Sequence, residues 1–137
     1  MTQEIIIDAK DAILGRLSTF VAKQALQGKT IKIINSEKAV IIGSRKDILQ
    51  KYKHKDQRGD PHHGPYLQKT PHRLVKRTIR GMLPYKIQKG ALALKRIKCF
   101  KGNEKDEKAK IIKSAQLDKS KILKYITIGE LCKELKK

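Results

Sequence analysis

Four basic side chains recur at helical spacing in the middle of the chain, at Arg73, Lys76, Arg77 and Arg80. At about 100° per residue, these positions fall within one helical stripe that is roughly 100° wide. The residues on the opposite arc are Leu74, Val75, Thr78, Ile79 and Met82. A solvated helix face usually pairs its cations with acids, but residues 61–101 contain no aspartate or glutamate. The stripe therefore predicts phosphate binding.

Further candidates for contact with a polyanion flank this stripe. The basic end of the preceding helix either complements the helix dipole or binds phosphate. The paired histidines of the following loop either form a turn or contact phosphates and bases. These flanking candidates are Arg45, Lys51, Lys53, His54, Lys55, Arg58, His62, His63, Lys69, His72 and Lys89.

The sequence lacks the residue spacing that motifs for catalysis or cofactor binding require. Gly28-Lys29-Thr30 resembles the end of a phosphate-binding P-loop, but that motif needs a glycine where Lys23 stands, and a helix after the loop rather than before it. The only acids of the basic segment are Asp47, Asp56 and Asp60. Asp47 suits a capping role, and Asp60 with Pro61 suits a turn. No Ser/His/Asp set or carboxylate pair stands out. We predict no catalytic residue, no cofactor and no small-molecule substrate.

Metal binding is disfavoured by the positions of the potential ligands. Zinc sites need four closely spaced ligands, whereas Cys99 and Cys132 lie far in sequence from all four histidines. We therefore predict no metal site. The two cysteines fit buried free thiols better than a disulfide.

The apolar patterning predicts an α/β fold that positions these side chains. Strands are expected at 4–7, 30–34, 39–42 and 96–100, and helices at 13–27, 44–55, 71–81, 87–95 and after Thr127.

Asp11 is expected to cap the first helix, and Ser44 with Asp47 and Thr127 with Glu130 resemble capping boxes. The first strand, helix and second strand suggest a parallel βαβ unit. Strands without apolar–polar alternation suggest a sheet covered on both faces. Residues 56–71 form a long loop, and 101–110 a charged one.

The length of 137 residues predicts a single domain, 1–137. Its net charge of +20 indicates that this domain binds a polyanion. The segment 45–101 carries 17 basic and 3 acidic residues and holds most of the excess. Nucleic acid is the first candidate partner and an anionic membrane surface the second. No run is apolar enough to span a bilayer, and the N-terminus does not resemble a secretory signal. Because aromatic residues are scarce, folded RNA recognised by shape and phosphate fits better than single strands.

Several short motifs, in order, resemble one family. Residues 8–18 read Asp-Ala-Lys-Asp-Ala-Ile-Leu-Gly-Arg-Leu-Ser, and Asn35-Ser36-Glu37 follows the second strand. Gly64-Pro65-Tyr66 precedes Pro71, and the most specific run is Arg80-Gly81-Met82-Leu83-Pro84, followed by Lys86 and Gly90. Together these motifs resemble the universal large-subunit ribosomal protein L-thirteen family, in its archaeal-like form. The resemblance covers residues 4–102, and residues 103–137 match more loosely.

The resemblance implies a three-layer α/β/α fold with a mostly parallel sheet of about four strands. It also implies a structural ribosomal protein in the cytoplasm, which binds large-subunit ribosomal RNA, contacts neighbouring ribosomal proteins and supports subunit assembly for translation. Arg80, Gly81 and Lys86 carry over as RNA contacts, with Gly81 allowing close backbone approach or turning the helix end. Lys69 stands where the family pattern has arginine, so a bidentate contact there is not expected.

The predicted function is that of a ribonucleoprotein scaffold with no enzymatic activity and no membrane partner. The loop at 56–71, the helix at 71–82 and the segment at 84–90 form the predicted RNA-binding face. The alternatives are a nucleic-acid-modifying α/β enzyme, a ribosome assembly factor and a peripheral membrane protein. The enzyme would need a cofactor cleft, and the membrane protein bulky apolar residues on an exposed helix face.

Overall fold

The predicted helices and strands are present, with small shifts at their ends. The computed structural model describes residues 3–102 and 109–136, so part of the predicted charged loop at 101–110 lies outside the described residues. The strands are β1 (Glu4–Asp8), β2 (Thr30–Ile34), β3 (Val40–Ile42), β4 (Ile97–Cys99) and β5 (Tyr125–Thr127). The helices are α1 (Leu14–Leu26), α2 (Arg45–Gln57), α3 (Pro71–Gly81), α4 (Gln88–Lys95) and α5 (Ile128–Leu135).

The main sheet is parallel, with strand order β1-β2-β4. Lys110 adds a single parallel bridge to Ile7 of β1, through hydrogen bonds with Ile6 and Asp8. The parallel βαβ unit and the α/β class are therefore confirmed. The expected four strands are three described strands plus this one-residue bridge.

The apolar run at 39–42 does not extend that sheet. It forms β3, which pairs antiparallel with β5, so that Val40 lies opposite Thr127. The pairing joins residues 40–42 to the strand that directly precedes α5. It brings α5 against α2 and against the short turn at Ser36–Lys38.

The two faces of the main sheet differ. One face carries the rows Ile5–Ile31–Ile97 and Ile7–Ile33–Cys99, and it contributes to the main core. The other face carries the row Ile6–Lys32–Lys98, in which Lys98 is exposed and the other two side chains are half-buried. The expectation of a sheet covered on both faces is therefore wrong along this row. Each lysine occupies the alternate position of its strand, which faces away from the core.

Helix α1 buries the predicted stripe of Leu14, Leu17, Val21 and Ala25, and it packs against α3 and α4. Gly28, at φ +93°, follows its end as expected. The predicted cap is wrong, because the residue that precedes the helix is Ile13. Asp11 instead takes a left-handed backbone conformation, φ 58°, and lies 3.8 Å from Lys119.

The two predicted capping boxes differ in outcome. Ser44 precedes α2, but its side chain makes no capping hydrogen bond. The Thr127 hydroxyl accepts a hydrogen bond from the Glu130 backbone N–H at 3.3 Å, which caps α5.

The two cysteines are free thiols, as predicted. Burial raises the pKa of Cys99 to about 12 and also raises the pKa of Cys132. Within the described residues, no helix is long and apolar enough to cross a membrane.

Candidate nucleic-acid interface

Helix α3 presents the predicted cationic stripe on its outer side. Thr70 precedes the helix and Pro71 is its first residue, where a proline costs no backbone hydrogen bond. Pro71, Leu74, Val75 and Ile79 are buried. The four basic side chains line one shallow groove together with Gln68 and Leu94: Arg73, Lys76, Arg77 and Arg80. Met82, expected on the apolar arc, lies beyond the helix and is 43% exposed.

The segment after α3 is compact and turns a second group of cations outward. The guanidinium of Arg80 lies 4.5 Å from the centre of the Tyr85 ring, and Leu83 is buried. Gly90, in the first turn of α4, packs so closely that a Cβ there would overlap the carbonyl oxygen of Pro84. Lys86 and Lys89 are exposed around this bend.

A second concentration of charge lies between α2, the 58–70 loop and α3. Lys51, Lys55 and Arg58 come from the end of α2, and Arg77 comes from the stripe on α3. All four line one open cavity, which we call the α2–α3 cavity. Burial, followed by the neighbouring charges of Lys51 and Arg58, lowers the pKa of Lys55. Lys51, Lys55 and Arg58 are therefore close enough to repel each other.

Three other predicted contacts lie apart from this cavity or are already paired. Lys53 and His54 line a different groove along α2. Lys69 lies 3.2 Å from Asp56 in a partly exposed ion pair.

Arg45 joins two helices. It lies 3.2 Å from Glu134 and 3.8 Å from Glu130 of α5. Its charge serves the packing of α2 on α5, and its role as an RNA contact stays a prediction.

The histidines occupy two kinds of position. His62 and His63 are exposed in the loop, where their backbone N–H groups donate to Asp60. His72 lies in the first turn of α3, with a buried Nδ1 atom that has no hydrogen-bond partner among the described residues. Burial, and then the charges of Arg73 and Lys101, lower its pKa. His72 is therefore mostly neutral near pH 7 and adds little positive charge.

Gly81 lies at the exposed end of α3. It lines the α2–α3 cavity, its φ is not positive, and a Cβ there would meet open space. The helix end therefore does not need glycine for its conformation. Of the two predicted reasons for this glycine, close approach of a ligand to the backbone is the one that the geometry supports.

The sequence did not predict Tyr66 as part of the cavity, and it did not predict that Lys32 and Lys98 share one sheet face. Tyr66 is 57% exposed and lines the cavity, yet only its place in a family motif had marked it. Its position beside two turn residues, Gly64 and Pro65, could have indicated an exposed ring. Lys32 and Lys98 share the partly open sheet face, which became visible only with the strand register.

The chain matches a known family over most of its length. The sequence profile described as Ribosomal protein L13 matches residues 2–106. The chain is 39% identical over 132 residues to Large ribosomal subunit protein uL13 of Haloarcula marismortui, covering 96% of this chain and 90% of the relative. The proteins of that name from Thermoplasma acidophilum and Methanosarcina barkeri are 44% and 45% identical, with 95% of this chain and 96% of each relative covered.

Proposed function

The chain belongs to the ribosomal protein L13 family, and from that premise we propose that its basic face holds large-subunit ribosomal RNA. The protein is a structural constituent of the large ribosomal subunit and not an enzyme. Its place is the ribosome, in the cytoplasm, where it takes part in translation.

The observation that carries the proposal is the stripe on α3. Its four cations share one groove, and no carboxylate of the described residues lies within 4.0 Å of any of them. The buried residues on the other side of α3 fix the orientation of the helix against the core. The stripe is thus held rigidly outward, and a row of phosphates is the partner that would neutralise it.

Some of the other predicted contacts extend this face on both sides of α3. The cations of the α2–α3 cavity lie on one side, and Lys86 and Lys89 lie beyond the C-terminal end of the helix. The proposed set of RNA contacts comprises Arg45, Lys51, Lys53, His54, Lys55, Arg58, His62, His63, Lys69, His72, Arg73, Lys76, Arg77, Arg80, Gly81, Lys86 and Lys89.

The proposed mechanism is charge neutralisation on a rigid platform. RNA helices repel each other through their phosphates, and cations fixed between them lower that repulsion. A protein that holds such cations in place would support the assembly of the subunit. Neighbouring ribosomal proteins are further proposed partners, and exposed apolar side chains such as Leu123 and Ile111 support contacts of that kind.

Fractionation of a native lysate on a sucrose gradient tests this function, before and after a high-salt wash. Stable co-migration with the large subunit after the wash is the expected result. Release into the light fractions at modest salt would leave only general affinity for polyanions. An assembly factor would instead co-migrate with precursor particles and be absent from mature subunits.

A further inference from the structure

We propose that the α2–α3 cavity receives one unstacked nucleotide of the RNA, with its base against Tyr66 and its phosphate among Lys55, Arg58 and Arg77. This inference rests on the proposed RNA-binding function and names the RNA feature that the cavity recognises. A continuous RNA helix keeps its bases stacked inside and presents only its backbone and groove edges. The proposal therefore requires a bulge, loop or junction at this point of the bound RNA.

The size of the cavity fits a single nucleotide. Its volume is about 500 Å³, within the range of roughly 300–1,000 Å³ that is common for small-molecule sites. The shallow groove along the α3 stripe is more open and smaller, at about 330 Å³. The groove along the stripe suits contact with an extended RNA backbone, whereas the cavity can hold a single nucleotide.

The lining of the cavity combines the two chemistries of a nucleotide. Lys51, Lys55 and Arg58 follow one another at helical spacing on one side of α2, and Arg77 adds a fourth cation from α3. The rest of the lining is largely aromatic or apolar, from Tyr52, Pro65, Tyr66, Leu67 and Leu74. The cations can bind a phosphate, and the aromatic and apolar residues can pack against a flat base.

Within the described part of the chain, the four cations have no acidic partner. Arg58 Nε donates a hydrogen bond to His54 Nε2 at 3.2 Å, and the Lys55 ammonium lies 5.0 Å from the centre of the Tyr52 ring, but neither contact neutralises a charge. Among the described residues, none of them has a carboxylate within 4.0 Å, and the nearby Asp56 is paired with Lys69 at 3.2 Å. The lowered pKa of Lys55 reflects its burial beside two like charges. An anion in the cavity would relieve this repulsion, and a neutral ligand would not.

Tyr66 is oriented by contacts within its own loop. Its hydroxyl donates a hydrogen bond to the Pro61 carbonyl at 3.0 Å. Gly64 has φ +74°, and a Cβ there would lie 3.1 Å from the ring. The loop therefore packs closely around a ring that is still 57% exposed. A preset, exposed aromatic face is a suitable stacking surface for a base, because little side-chain freedom is lost on binding.

The test compares binding of a large-subunit ribosomal RNA fragment to full-length wild type, Tyr66→Ala, Tyr66→Phe and Arg77→Glu at several salt concentrations. Tyr125→Ala is the matched control, since Tyr125 is 37% exposed on β5, outside the cavity. We expect Tyr66→Ala to weaken binding about 10- to 100-fold with an unchanged salt slope, and Tyr66→Phe and Tyr125→Ala to stay within about threefold of wild type. Arg77→Glu should lower both affinity and slope. Circular dichroism verifies the fold of each variant.

The outcomes separate this inference from the proposed function. Wild-type affinity in Tyr66→Ala would overturn the nucleotide-binding role and leave RNA binding intact. Failure of the wild type to bind the RNA would overturn the proposed function itself. As a second measurement, adenosine 5′-monophosphate should shift the NMR signals of the Tyr66 ring more than ribose 5-phosphate or inorganic phosphate does. Equal shifts from all three would mean that the cavity holds a phosphate and no base.

Discussion

Gly81 is the residue at which helix stability and ligand binding make opposite demands. Glycine weakens a helix because it loses more conformational freedom on folding than any other residue. At Gly81 no left-handed backbone and no close neighbour requires it. Gly81 lines the α2–α3 cavity, and the proposed approach of RNA to its backbone would account for the glycine.

Gly81→Ala should therefore stabilise the free protein and weaken RNA binding. We expect the free energy of unfolding to rise by about 0.5 kcal/mol, measured by urea unfolding. Affinity for the ribosomal RNA fragment should fall, because the added methyl group lies where the backbone meets RNA. An increase in stability with unchanged affinity would show that RNA does not approach this point.

His72 gives a pH dependence with a defined sign. Burial and two neighbouring cations lower its pKa below the usual 6.5. Below about pH 6.5 the unfolded chain therefore takes up a proton that the folded protein disfavours, so stability falls as the pH falls.

The substitution His72→Gln removes this titrating group. The loss of unfolding free energy between pH 7.5 and pH 5.5 should be smaller in the variant than in wild type. Thermal unfolding at the two pH values measures it. An equal loss in both proteins would assign the acid sensitivity to other groups.

Helix α3 shows which elements could be predicted from sequence and which could not. Its boundaries, buried side and cationic side follow from local spacing, and all three are confirmed apart from Met82 at the end. The β3–β5 pairing joins distant parts of the chain, so no local pattern specifies it. The sheet row of Ile6, Lys32 and Lys98 was mispredicted because the isoleucines beside Lys32 suggested a continuous apolar strand.

The candidate site was predictable to a similar extent. The stripe follows from one helix. The α2–α3 cavity depends on how a loop brings Tyr66 between two helices, which spacing along the chain does not encode. Likewise, Arg45 looked like a free cation because its partners on α5 lie far away in sequence.

Charge reversal on the stripe should affect RNA binding and leave the fold intact. In the double variant Arg77→Glu with Arg80→Glu, we expect RNA affinity at 0.1 M salt to fall at least about tenfold and the salt slope to decrease by about two. The matched control reverses two exposed lysines elsewhere, Lys23→Glu with Lys133→Glu, and has the same net charge. Unfolding of the first variant in circular dichroism, or equal effects in both, would contradict the surface placement of the stripe as the RNA contact.

At the scale of the whole molecule, a net charge of +20 opposes folding when no RNA is present. The described ion pairs are few and partly exposed, and surface pairs of that kind contribute little. Screening by salt should weaken the repulsion within a Debye length of about 10 Å at 0.1 M.

The melting temperature of the free protein should therefore rise with ionic strength. We expect an increase of a few degrees, roughly the effect of 1 kcal/mol, between 0.02 M and 0.5 M potassium chloride. Differential scanning calorimetry measures it. A fall with salt would mean that ion pairs such as Arg45 with Glu134 outweigh the repulsion.

The close packing of Gly90 on the Pro84 carbonyl has a consequence for the history of the sequence. Even the methyl group of alanine would overlap that oxygen, so every other amino acid at position 90 should disturb the bend. The bend that carries Lys86 should therefore tolerate change only around a fixed glycine. A library of all substitutions at position 90, selected for ribosome function in a living cell, should return glycine alone.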